Sequence, residues 1–340
     1  MKKKIKTLLS LVAVLLVFAA VFALVQQLVT PKYMTDLVEG SMLSQYYREE
    51  KNHDVIFIGD CEVYANISPM TMWQERGITA YVRGSSQQLI WQSYYILEET
   101  LKYETPKVVV YNVNAMRYSE PVSEPYNRMT IDKLKWSSQK VNMIRASMME
   151  EETFASYVFP ILRYHSRFDS LTGEDIRYLF RVEDTTHNGH LINTHVEPYK
   201  ALPAKRPLAN YDFGQICWEY LEKMEALCRE KGVELVLMKA PSLYPYWYDQ
   251  YDAQITEFAQ EKGLRFYNFT ACTQEIGLDF SQDTYDGGLH LNLTGAEKFS
   301  AYFADILADS HGVPDRSAEE AIAALYGQKL EAYQQAKKGK

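Results

Sequence analysis

The chain has 340 residues, 47% of them hydrophobic, with 36 Lys and Arg against 44 Asp and Glu. That length accommodates one large core with an inserted lobe, and no low-complexity stretch or regular repeat interrupts it. The acidic balance argues against a nucleic-acid partner and against electrostatic adhesion to an anionic lipid surface, since both draw on a cationic excess.

At the N-terminus Lys2, Lys3, Lys4 and Lys6 precede TLLSLVAVLLVFAAVFALV (7–25), a run without charge. Apolar character continues past Gln26-Gln27 to Val29, before Pro31. Roughly 20 apolar residues match a bilayer core, whereas a cleaved leader carries about 7–15. Residues 1–30 therefore predict an uncleaved transmembrane signal anchor, with Ala19, Ala20 and Ala23 the small residues that would serve a cleavage. The lysines favour a cytoplasmic N-terminus, which predicts a single-pass protein of the cell membrane with its main domain extracytoplasmic. Those four lysines removed, the rest carries 32 basic against 44 acidic residues, a balance of −12.

Residues 31–53 read as a polar, partly helical connector. A rhythm then begins, with strand-like runs DVIFIGD (54–60), ITAYVRG (78–84), KVVVYNVN (107–114), VELVLMKA (233–240) and LRFYNFT (264–270). Helix-period segments lie between them at 87–104, 212–231 and 249–262, and a last one follows Thr294; Gly232 and Gly263 stand where helix stops belong. Strands alternating with helices predict an α/β fold, a doubly wound, mostly parallel five-stranded sheet. Residues 115–210 break the rhythm and read as an inserted, mainly helical lobe over the carboxyl edge of the sheet. The tail, 311–340, reads as a solvated surface helix ending in lysines.

Cys61, Cys217, Cys228 and Cys272 are the only cysteines. Cys217 and Cys228 are eleven apart on one predicted helix, about 16 Å of rise and too far to bridge. A disulfide scaffold is not expected in a domain this large.

Functional groups in a doubly wound sheet collect past the carboxyl ends of the strands. Gly59-Asp60-Cys61 leaves the first strand, Arg83-Gly84-Ser85-Ser86 the second, and Asn112-Val113-Asn114 the third. Lys239-Ala240-Pro241-Ser242 leaves the fourth, and DTYDGGLHLN (283–292) lies beyond the fifth. Acyl transfer needs a nucleophile, a base within hydrogen-bond reach and a group orienting that base. Cys61, His290 and Asp286 are residue types that supply those roles, with Asp283 the alternative orienting acid.

The order of these blocks resembles the SGNH (GDSL-type) hydrolase superfamily over about residues 54–308. The resemblance puts Cys61 where the family keeps a serine, Gly84 and Asn114 on its oxyanion glycine and asparagine, and Asp286 with His290 on its acid–base pair. It departs in the thiol and in the spacing of Asp286 and His290, four apart where three is usual. Glycines at 287 and 288 can absorb the extra residue. The resemblance implies an SGNH-like, flavodoxin-like domain over 54–310, with the insert at about 115–210. His290 would take the thiol proton, and the N–H groups of Cys61 and Gly84 with the Asn114 amide would hold the oxyanion, each donor worth roughly 3–4 kcal/mol.

The anchor and the lobe segment YVFPILRYHSRF (157–168) resemble membrane-anchored SGNH-like proteins of bacterial cell-envelope acylation, the D-alanyl-lipoteichoic acid and alginate O-acetylation types. That implies an acyltransferase or esterase acting on a cell-envelope polysaccharide or teichoic acid, beside a multi-spanning membrane O-acyltransferase and without a cofactor. The alternative is a non-catalytic accessory protein that binds glycan or docks on such an acyltransferase. His165 and Arg167 are singled out as cleft residues by this resemblance alone. Trp247, in the aromatic run LYPYWYDQYD (243–252), stacks sugars or simply packs. Lys239 meets an anionic polymer or pairs with Asp249. His187, His190 and His195 in HNGHLINTH show a spacing that suits a metal, but no cysteine accompanies them, and a loop cluster is expected instead.

Overall fold

In the computed structural model, residues 2–33, 37–38, 40–182 and 184–339 are described. Five strands form one parallel sheet: β1 (Val55–Gly59), β2 (Ala80–Gly84), β3 (Val108–Asn112), β4 (Glu234–Lys239) and β5 (Arg265–Asn268). Their order across the sheet is β2-β1-β3-β4-β5, with Gly59 opposite Gly84 and Val110 opposite Val236. Each expected strand is present and shorter by one or two residues at its ends.

Parallel neighbours require crossovers, and helices supply them. The helix α1 (Lys2–Val29) precedes the sheet. Then come α2 (Cys61–Asn66), α3 (Pro69–Arg76) and α4 (Ile90–Thr100). The insert contains α5 (Glu124–Ile131), α6 (Ser138–Ser147), α7 (Phe154–Val158), α8 (Ile161–Tyr164) and α9 (Gly173–Phe180). Next are α10 (Gln215–Lys231), α11 (Asp249–Lys262), α12 (Thr273–Ile276), α13 (Leu293–His311) and α14 (Glu320–Lys338). Gly232 and Gly263 end α10 and α11 as left-handed caps, as their positions predict.

Alternation along the strands divides the core. Ile56, Ile58, Val109, Tyr111, Leu235 and Leu237 pack with α4, α10 and α11, whereas Val55, Phe57, Val108, Val110 and Val236 pack with α2 and α13. All five residues of β1 are buried, so neither sheet face is open there. Each such side chain contributes about 1.5–3 kcal/mol, and Phe57→Ala would cost about 3–5 kcal/mol through the cavity it leaves.

Three regions depart from the sequence reading. The connector is built into the fold: Lys32, Ser41, Leu43 and Gln45 are buried, and Tyr46 lies under the Arg83 guanidinium at 4.1 Å while donating to Glu104 at 2.6 Å. The tail helix α14 is not a solvated helix, because Tyr326 and Tyr333 bury against Met70, Trp73 and Leu293. The insert places Tyr118 and Tyr126 at the carboxyl edge, as expected. Its last part instead flanks β2, where Val82 N donates to Asn188 O at 2.9 Å and Asn188 Nδ2 to Ala80 O at 2.9 Å. That pairing occupies a strand edge otherwise left open. The helix α1 is long and apolar enough to cross a membrane from Lys3 to Val29.

Candidate active site

The turn after β1 is a capped helix start. Asp60 is the N-cap of α2, its carboxylate accepting from Glu62 N at 3.1 Å, and Cys61 is the first helical residue. The turn is tight because Gly84, opposite it, has no side chain: a Cβ there would stand 2.4 Å from Val63 Cγ2. Asp60 also accepts from Asn112 Nδ2 at 3.1 Å and from Asn114 Nδ2 at 2.6 Å. Beneath it, Glu62 receives Asn112 Nδ2 at 2.9 Å and Lys239 Nζ at 2.7 Å. A network drawn from β1, β3 and β4 thus fixes the first turn of α2 and the thiol with it.

The second half of the site comes from the loop before α13. His290 Nδ1 meets Asp286 Oδ2 at 2.5 Å and His290 N donates to Asp286 Oδ1 at 2.8 Å. The four-residue spacing closes because Gly287 and Gly288 take positive φ of 74° and 97°. Thr284 Oγ1 secures the loop, accepting from Gly288 N at 2.8 Å and donating to His290 O at 2.7 Å. The His290 ring stacks on Tyr285, 5.6 Å between centroids. Asp283 faces elsewhere, paired with Lys298 at 2.6 Å.

Cys61 and His290 line the same cavity and act on each other electrostatically. With Nδ1 on Asp286, Nε2 is the ring nitrogen left for the thiol. Burial and the Asp60 carboxylate push the Cys61 thiol above its ordinary value, and His290 opposes them. Burial alone would lower His290, but Asp286 and Cys61 outweigh it and push the imidazole up to about 11. With the thiol proton transferred to His290, the pair is thiolate beside imidazolium, a nucleophile next to a proton donor.

Cys61 and His290 open onto a cavity of about 290 Å³ between the strand ends and the insert. Asn114 lines it, with Nδ2 on Asp60 and with Oδ1 buried and unpartnered. Gly84 does not line it: its lack of a side chain serves packing against Val63, and Ser86 and Gln87 stand at the cavity wall instead. Lys239 is fully buried on Glu62, out of reach of a polymer and not paired with Asp249. Trp247 packs on Phe213 and Tyr251 and donates to Asp252 at 3.2 Å. Arg167 is buried far from the cavity, on Val29 O at 2.7 Å and Asp175 at 2.9 Å. His165 is exposed on the same part of the insert, outside the cavity wall. Trp247 thus follows its packing reading, while the readings of Lys239, Arg167 and His165 fail for one reason: strand-end position and segment composition do not reveal which way a side chain turns.

Arg117 is the cation at the cavity, its Nε donating to Asn114 O at 3.1 Å and its guanidinium 5.3 Å from the Tyr118 ring. Its position three residues past Asn114 was the available signal. Asn112 and Glu62, which support Asp60 and Lys239, carried none beyond polarity near a strand end. The rings of His187 and His190 pack on Tyr333, while His195 is exposed, and no metal-binding group of three His, Cys, Asp or Glu occurs among the described residues. All four cysteines are free. No protein-family model matches the chain, and no curated protein matches it.

Proposed function

We propose that this protein is an SGNH-like acyltransferase or esterase that acts outside the cytoplasm on a cell-envelope polysaccharide or teichoic acid. The observation that carries the reading is Cys61 and His290 on one cavity wall past the carboxyl end of β1, with the His290 ring held by Asp286. The sheet order and the two-sided core support the doubly wound SGNH-type reading, in which that edge is where chemistry sits.

In the first half-reaction the Cys61 thiolate attacks an acyl carbonyl, and His290 gives its ring proton to the departing alkoxide. A thioester and a free hydroxyl result. In the second, neutral His290 takes a proton from an acceptor hydroxyl or from water, which attacks the thioester and returns Cys61 to thiolate. Asp286 holds the ring tautomer in both. The N–H of Cys61 and the second hydrogen of Asn114 Nδ2 are the oxyanion donors. Arg117 is placed for an anionic acceptor. A multi-spanning O-acyltransferase is the donor this scheme implies.

A second reading is favoured by the raised thiol: a site that keeps its cysteine protonated also suits a non-catalytic glycan-binding or acyltransferase-docking protein. Incubating the full-length protein in detergent with an activated acetyl ester separates the two. The enzyme reading expects one acetyl group on the Cys61 peptide by mass spectrometry, absent in Cys61→Ala and slowed in Asp286→Asn. No adduct in the parent, with His290→Ala indistinguishable from it, defeats that reading and leaves the binding one.

A further inference from the structure

Outside the site, an open groove of about 700 Å³ lies between α1 and the insert. The helix is held firmly there. Arg167 Nη1 donates to Val29 O at 2.7 Å, Lys32 Nζ to Leu28 O at 2.7 Å, and Ile161 N to Gln26 Oε1 at 2.7 Å. Further down, Phe22 packs on Phe159 with centroids 6.0 Å apart.

Counting from Thr7, about 20 residues at 1.5 Å each carry α1 across a hydrocarbon core, so its outer boundary falls near Gln26 and Gln27. The groove straddles that level. Ala19, Phe22 and, against it, Phe159 give an apolar wall below that level, while Gln26, Thr30, Lys133, Leu179 and Val182 also line the groove. Ile176 and Phe180, four apart on α9, are 54% and 86% exposed.

Lys133 is the unusual member. Its ammonium has no hydrogen bond or ion pair among the described residues; the Tyr178 ring lies 5.7 Å away to the centroid, and Lys32, Asp132, Lys140 and Arg167 act on it electrostatically. The other cations there are occupied: Lys140 donates to the carbonyls of Asp132 and Leu134, and Arg48 pairs with Asp184. Asp132, the nearby acid, is held by Arg128 and Tyr164. A half-buried cation without a partner, at the polar end of an apolar groove along a membrane-length helix, is complementary to one kind of molecule.

We propose that this groove binds an anionic phospholipid of the membrane leaflet around the C-terminal end of α1, its phosphate on Lys133 and its acyl chains along Phe22 and Phe159. The net negative charge of the chain opposes long-range attraction to such lipid, whereas Lys133 acts at contact. The inference is independent of the chemistry at Cys61 and rests on α1 crossing a bilayer.

The test is native mass spectrometry of the full-length protein in detergent, titrated with phosphatidylglycerol, phosphatidylcholine or inorganic phosphate. Phosphatidylglycerol is expected to bind at least about fivefold tighter than phosphatidylcholine, about what one lysine supplies. Lys133→Gln should abolish that preference and Lys133→Arg retain it, with the rate of Cys61 alkylation unchanged in both as a check on folding. Equal binding of the two lipids, or a preference that survives Lys133→Gln, overturns the proposal. Phosphate that displaces the lipid at equal concentration overturns it too, as does release of the intact chain from membranes by alkaline carbonate.

Discussion

Cys61 sits between two opposing influences, and their balance sets its reactivity. Burial and Asp60 raise the thiol, and His290 lowers it. Thiolate is therefore scarce at neutral pH, and the alkylation rate should climb about tenfold per pH unit between 7 and 9, following the thiolate fraction. Iodoacetamide labelling of the Cys61 peptide across that range checks it; a rate already level at pH 7 would mean that the ion pair forms at rest. His290→Ala removes the favourable partner, so labelling should slow at every pH in the range. The imidazole, held up to about 11 by Asp286 and Cys61 against burial, stabilises the fold fully below pH ~6.5 and loses that contribution as pH rises through about 11. Asp286→Asn should reduce acyl transfer by roughly 10³–10⁴-fold through loss of the ring tautomer, measured as the rate of acetyl-Cys61 formation. These three residues were legible in the sequence because each lies beside a strand end or inside a glycine-rich loop, where local chemistry is informative. Lys239 was misjudged because its partner, Glu62, lies 177 residues away, and pairing at that distance exists only once β1 and β4 share a sheet.

The strands were legible for a related reason: buried parallel strands are short apolar runs, and periodicity marks them whatever surrounds them. The helix α14 shows the limit. Tyr326 and Tyr333, seven apart, form a visible stripe, yet nothing local identifies its partner, which is α3 through Met70 and Trp73. Tyr333 also shares hydrogen bonds with Ser68 at 3.0 Å and Glu297 at 2.9 Å. Tyr333→Ala should therefore destabilise the protein by about 3–5 kcal/mol in urea unfolding, while the exposed Gln335→Ala stays within about 0.5 kcal/mol. A solvated terminal helix would make the two substitutions alike, so equal midpoints would remove α14 from the core. The connector after α1 escaped in the same way: Lys32, Ser41 and Gln45 are polar by composition and buried by position.

Joining α1 to the rest through buried contacts makes that helix part of the folded body, so the Cys61 cavity keeps a fixed orientation to the helix that leads into it. Val29 and Thr30 are buried, Val29 O accepts from Arg167, and Asp175 receives both Arg167 and Lys32. A chain beginning at Leu24 keeps every one of these contacts, and so does cleavage after Ala23. A chain beginning at Tyr33 loses all of them except the Arg167–Asp175 pair. The loss comprises about 1.5–3 kcal/mol for Val29 and about 1–3 kcal/mol for an Arg167 left short of an acceptor. For a domain near 300 residues, a shift in Tm of several degrees should follow. Comparing the two chains by thermal unfolding decides the matter: the longer should melt higher, and both should hold their Cys61–His290 pair at low temperature. Equal melting temperatures would make α1 a tether attached to an independent domain, and the orientation of the cavity relative to α1 would then be set by the chain's flexibility instead of its packing.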